Sequence, residues 1–267
     1  MYFEPDRLVL DVAQALCVAL PAAGIPGFLE RLRGRGWSLV APLSLVLTIA
    51  AIGVSTASAD VVSWIALVLV PLGCALALGW AAHGARPWLA LAVVPLLAAA
   101  LAAPDDALGQ VSRLLLIVGS CVTAGRLLAG GAPLRFLKAG VVTMAAIDAV
   151  LIFGDLYGER FAAFDAAAPA AGLPQLHVAD IGAVSTDYGD FFVAGLVGAI
   201  LVAEGRFQAA AAVATLATAQ IYNQLLLVVD SISETAPPAL VLIVFEAWHR
   251  WTCSRAGPSG AHGTTAR

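Results

Sequence analysis

The chain is short of charge. Of its 267 residues, 12% are Asp, Glu, Lys or Arg, while 61% are hydrophobic. A water-soluble domain carries about 25% charged and about 45–50% apolar residues, so too little polar surface is left here to coat a globule. That excludes a soluble enzyme and, equally, an intrinsically disordered chain. Basic residues do not outnumber acidic ones, at 14 against 18, and leave no electrostatic footprint for nucleic acid. Cysteine is sparse too. Cys17, Cys74, Cys121 and Cys253 lie far apart, with neither the CxxC spacing of a metal site nor the density of a disulfide framework. What is present is apolar length, with a mean hydropathy of +0.91. The class this implies is an all-α, multi-pass protein of the cell membrane, with the lipid bilayer as its surroundings.

Crossing a hydrocarbon core of about 30 Å takes about 20 mainly apolar helical residues. Nine runs qualify: 8–25, 37–56, 61–82, 87–103, 112–130, 136–154, 188–204, 207–229 and 237–252. The first is the weakest, because Asp11, Gln14 and the Pro21–Gly27 stretch interrupt it. It does not read as a signal peptide, since Glu4 and Asp6 spoil the positive leader. Counting Lys and Arg by side gives ten, among them Arg31, Lys138, Arg206 and Arg250, against Arg7, Arg113 and Arg160. The bias predicts an outer N-terminus and a cytoplasmic C-terminus. Three regions follow. Residues 1–135 hold spans one to five, and 136–253 hold spans six to nine with a long outer loop at 155–187. The Gly/Ser/Pro-rich tail at 254–267 reads as disordered. Within the loop, 176–184 alternates in a way that predicts a short strand.

An ionisable side chain at membrane depth costs at least about 2.5–3.5 kcal/mol, so each needs a reason. Asp148 sits well inside span six and Asp190 near the start of span seven. A chain leaving through one helix and returning through the next sets the two at comparable depth. Two carboxyls facing each other in low dielectric cannot both ionise, and they share a proton as a unit. That state suits an aspartic protease: one carboxylate takes a proton from water and the other acid donates to the carbonyl oxygen. It equally suits an ion pathway or a pair of hydrogen-bonding residues between helices. Tyr188 and Gly189 precede Asp190, and a glycine there lets another backbone approach the carboxyl. Before the last span the chain reads Ser-Glu-Thr-Ala-Pro-Pro238-Ala239-Leu240. Proline at that point opens a helix and stiffens the approach to it.

Together these elements resemble the presenilin and signal peptide peptidase family of intramembrane aspartyl proteases. That family has nine helices, an Asp in helix six, GxGD in helix seven and PAL opening helix nine. Asp148, the Asp187-Tyr188-Gly189-Asp190 stretch and Pro238-Ala239-Leu240 match in order and helix number. The resemblance implies catalysis by Asp148 and Asp190, with Tyr188, Gly189, Pro238, Ala239 and Leu240 supporting the site. It also implies transmembrane-helix substrates, such as signal peptides or membrane stubs, and needs no metal or organic cofactor. The outer six-to-seven loop matches signal peptide peptidases and is opposite to presenilins. Two departures stand out. Ile147 replaces the family's Tyr before the helix-six Asp, and Asp187 replaces the first glycine of GxGD. Asp187 is then either a third carboxyl beside the pair or a helix N-cap.

Other polar residues have plainer roles. Gln220, Asn223 and Gln224 share one face of span eight, which fits interhelical hydrogen bonding or a water path. Ala194 and Gly198, four apart, allow close helix packing. Arg126 in span five snorkels or pairs with a carboxylate. His177 in the loop reads as solvated, and His83 and His249 as bland helix-end residues. Two other function classes fit the same two aspartates: an ion- or proton-coupled transporter, and a catalytically silent presenilin-like scaffold.

Overall fold

The computed structural model describes residues 4–22, 34–40, 43, 57–154, 169, 173–229 and 232–255. Most of the run at 37–56, most of 155–172 and the tail beyond Arg255 lie outside the described residues. The described chain is mostly helical. Helix α1 spans Pro5–Ala19, its fixed-φ proline in the first turn where no amide proton is missed. After a 3-10 turn at Arg35–Leu39, α2 spans Ala57–Leu76 and is drawn out by a π turn at Ala77–Ala81. A 3-10 turn at Pro87–Ala92 leads into α3 (Val93–Ala102). Helices α4 (Ala107–Gly131) and α5 (Leu134–Phe153) follow, with Pro133 at the break between them.

A hairpin of β1 (Val178–Ile181) and β2 (Val184–Asp187) comes next. It runs straight into α6 (Tyr188–Ala203). Helix α7 (Gln208–Tyr222) continues as a 3-10 turn at Asn223–Leu227, and α8 spans Ala236–Arg255. The single strand expected at 176–184 is therefore one arm of an antiparallel pair, with Val178 opposite Asp187 and Ile181 opposite Val184. The alternation was readable. The two-residue turn at Gly182-Ala183 was the missing signal, and Gly182 takes the positive φ of +58° that such turns need.

Helix α6 is the centre. Phe191, Val193, Leu196, Ile200 and Leu201 are fully buried, so it is apolar all round, as a helix enclosed by others must be. It packs against α4 and α1 at backbone distance. A methyl group on Gly195 would sit 2.6 Å from the Cys121 carbonyl oxygen, and one on Gly125 would meet the Gly195 carbonyl. Gly198 faces the Val18 carbonyl of α1 in the same way. The close packing expected at Gly198 thus has α1 as its partner, and Ala194 is fully buried on the same helix. At the end of α1, Gln208 Nε2 donates to the carbonyls of Val18 (2.8 Å) and Pro21 (3.0 Å), partners that a helix end otherwise lacks.

The outer face of α2 is the reverse of α6. Val61, Ile65, Val68, Leu69 and Leu72 recur at helical spacing and are each at least 50% exposed. A bare apolar stripe of this kind belongs against lipid or a partner. By length and apolarity, Asp60–Ala81 and Ala107–Gly131 are able to cross a membrane. Pro87–Ala102 and Tyr188–Ala203 are apolar but shorter. Of the other expected spans, α1 carries Asp11 and Gln14, α5 carries Lys138 and Asp148, and α8 carries Glu246 and Arg250.

The two ends of α6 are chemically unlike. At its far end Lys138 Nζ lies 2.6 Å from Glu204 and 2.7 Å from Glu246. Arg206 reaches the same two carboxylates, each at 2.9 Å, and Arg250 adds a 3.2 Å pair to Glu246;. This ties α5, the end of α6 and α8 together. The hairpin marks the near end, about 24 Å away at 1.5 Å per helical residue.

Candidate active site

Asp148 lies near the C-terminal end of α5 and is 6% exposed. A buried carboxyl must find donors, and it finds them on the segment that leads into α8. Ser233 Oγ donates to Asp148 Oδ2 at 2.5 Å, and Thr235 Oγ1 donates to the same oxygen at 2.9 Å. The two hydroxyls are themselves 2.9 Å apart. Pro237 and Pro238 follow at once in the first turn of α8, both buried along with Ala239, while Leu240 is exposed. The Pro-Ala-Leu turn and the Asp148 carboxyl are thereby joined through two side chains.

Asp190 is the third residue of α6 and partly buried. Its carboxyl accepts from the backbone N–H of Asp187, at the N-cap position, the reach-back bond of a capping box. Asp187 holds the N-cap with extended backbone and no side-chain capping bond. Its carboxyl lies within electrostatic reach of Asp190, as do those of Asp148 and Glu234. Asp148 and Asp190, 42 residues apart in sequence, are thus electrostatic neighbours.

Tyr188 is anchored on both sides. Its hydroxyl pairs with Ser120 Oγ at 2.9 Å, and its amide donates to the His177 carbonyl at 2.9 Å, extending the hairpin ladder. His177 is therefore not solvated: it is 3% exposed, drawn in by that ladder. Gly189 also differs from expectation. No atom of the described residues lies within 4 Å of where its side chain would be, so none of their backbone uses the approach.

Several groups at the site carried no legible signal. Glu234 receives Arg7 Nη1 at 2.7 Å and Thr186 Oγ1 at 2.6 Å. Burial pushes its carboxyl above the usual carboxylate range, while the Thr186 hydroxyl and the Arg7 guanidinium pull the other way. The Glu234 carbonyl accepts from Gln14 Nε2 at 2.7 Å. Asp11, buried on α1, accepts from Gln220 at 2.5 Å and Asn223 at 2.8 Å, the interhelical bonding expected of those amides. Gln224 instead donates to the Gln220 carbonyl at 3.3 Å. The polar residues that made the first apolar run look weak are what bind it to α7 and to the site. On the hairpin's other side, Arg113 reaches Asp180 at 3.2 Å and the Pro104 carbonyl at 2.9 Å. Arg126 is buried in α4 at 2% exposure.

Family models, curated proteins and solved structures give no match to this chain. The site therefore has to be judged on its own chemistry. Two carboxyls from neighbouring helices lie within electrostatic reach of one another, Asp148 accepting from two hydroxyls and Asp190 from a backbone amide.

Proposed function

We propose that this protein is an intramembrane aspartyl endopeptidase resembling presenilins and signal peptide peptidases. The observation that carries the reading is the convergence of three distant segments on Asp148 of α5: it is hydrogen-bonded to Ser233 and Thr235 on the approach to Pro238-Ala239-Leu240 and within electrostatic reach of Asp190 of α6. A packing role alone does not require them to share one place. The membrane setting is a nine-helix bundle with the hairpin end outward. The exposed stripe on α2 supports it. So does the division of cations, with Arg7 and Arg113 at the hairpin end and Lys138, Arg206 and Arg250 at the other;.

In this mechanism a water bound between the two carboxyls attacks the scissile carbonyl. The ionised member of the pair takes the water's proton, and the protonated member donates to the carbonyl oxygen. A substrate helix must first lose a turn, and its freed backbone groups need partners that lipid does not supply. The hairpin beside Asp190 offers them by strand addition, and the open space at Gly189 gives the extended backbone its way in. The substrates are single transmembrane helices, such as signal peptides or membrane stubs.

The test is cleavage of a transmembrane-helix peptide by the chain in liposomes. Asp148→Asn and Asp190→Asn should each abolish cleavage while leaving insertion intact, and full activity in either variant would overturn the reading. A peptide isostere bearing a hydroxyl at the scissile position should protect the wild type.

A second reading, a proton- or ion-coupled transporter, draws on the partly buried polar groups Asp11, Gln220, Asn223 and Glu234 between α1, α7 and the site. Proton-coupled uptake without proteolysis would favour it.

A further inference from the structure

Ser233, Glu234 and Thr235 are three consecutive residues with two different sets of partners. The outer two bind Asp148, both through Oδ2. The middle one binds α1 and β2: its carboxyl takes Arg7 and Thr186, and its carbonyl takes Gln14, a contact across 220 residues of sequence. A carboxyl group turns freely about its last torsion unless it is held. Two donors on one oxygen fix its plane and make its two oxygens inequivalent.

The type of donor matters as much as the position. A Lys or Arg at this place would hold the carboxylate ionised and oppose its protonation. A hydroxyl both donates and accepts. The Ser233–Thr235 cradle therefore fits Asp148 equally when it is ionised and when it carries the shared proton, and the geometry survives each half of an acid–base cycle. Preorganised groups of this kind lower a barrier because nothing has to move as charge shifts.

We propose that Ser233 and Thr235 are positioning residues for Asp148, and that α1, through Arg7 and Gln14, sets the strap that carries them. The inference rests on the proteolytic reading above. Each consequence is separable from a general loss of folding, because turnover can be counted per site that binds the hydroxyl isostere.

The experiment uses the full chain in liposomes with a single transmembrane-helix peptide as substrate. The Ser233→Ala/Thr235→Val double variant should lose about 10- to 100-fold in kcat per titrated site, the scale of a lost charge-assisted bond. KM should stay within about twofold, since substrate binding is untouched. Thr235→Ser, which keeps the hydroxyl, should restore most of the loss seen with Thr235→Val. Arg7→Met should lower kcat by about three- to tenfold alone and by clearly less in the double variant, because both act through one strap.

Wild-type kcat in the double variant would overturn the proposal, and so would failure of Thr235→Ser to rescue. Fully additive effects of Arg7→Met would remove α1 from it. These failures are distinct from failure of the proteolytic reading, which would show as full cleavage by Asp148→Asn or Asp190→Asn.

Discussion

The two ends of α6 gather carboxylates in different numbers and hold them in different ways. At the far end, Glu204 and Glu246 are matched by Lys138, Arg206 and Arg250;. At the hairpin end five carboxyls, Asp11, Asp148, Asp187, Asp190 and Glu234, draw together around one ion pair, Arg7 with Glu234, while amides donate to Asp11 and hydroxyls to Asp148. Matched charge locks geometry and leaves no proton to move. Carboxyls held by neutral groups keep their geometry and stay free to exchange one. The first arrangement is a clamp, and on the proteolytic reading the second is where the proton moves.

The sharpest way to break that comparison is to neutralise one carboxyl at the hairpin end. Asp148→Asn keeps an acceptor for Ser233 and Thr235 but cannot trade a proton. Turnover should fall by about 10³-fold or more, within the range general acid–base groups supply. The unfolding midpoint in detergent should hold or rise, because the amide oxygen still accepts from both hydroxyls and one carboxyl fewer crowds Asp190. A variant that loses stability and activity in parallel would make the hairpin end structural.

A smaller effect is expected where the hairpin is shaped. Ala at position 182 must adopt a φ of +58°, at a cost of about 1–2 kcal/mol, and its methyl group would collide with the Asp6 carboxylate. Gly182→Ala should therefore speed amide hydrogen exchange across 178–187 by about tenfold or more, with the core of α6 still protected. Cleavage should weaken with it, through substrate alignment. Uniform loss of protection along α6 would show that the hairpin and the bundle are one cooperative unit.

Much of this plan was legible in the sequence, and the limits are physical. Apolar runs announce themselves, so helices lie within most of the expected runs where residues are described, although Arg35–Leu39, Pro87–Ala92 and Asn223–Leu227 form 3-10 turns. Asp148 and Asp190 stood out because charge in an apolar run demands a reason. Ser233, Glu234 and Thr235 did not, since a polar run between two helices is what any loop looks like. Nor did Arg7, whose partner Glu234 lies 227 residues away. His177 misled because loop position suggests solvent, while its backbone lies in a ladder that buries it. Sequence patterns report local environment, and this site is assembled from long-range contacts.

The mildest change is the one that tests the clamp itself. Lys138 reaches Glu204 and Glu246, with the three side chains 17–22% exposed. In Lys138→Met, Arg206 still serves both carboxylates and Arg250 still serves Glu246. The loss should then resemble that of a partly exposed pair, about 0.5–1 kcal/mol, read as a midpoint lower by about 1–4 °C. Raising the salt concentration should shrink the difference between variant and wild type, because screening weakens the exposed part of the network in both. Turnover per titrated site should be unchanged, since about 15 Å of helix separates Lys138 from Asp148. Should Lys138→Met depress turnover as strongly as Asp148→Asn, the two ends would be coupled through α5, and the clamp would be part of the machinery it was taken to support.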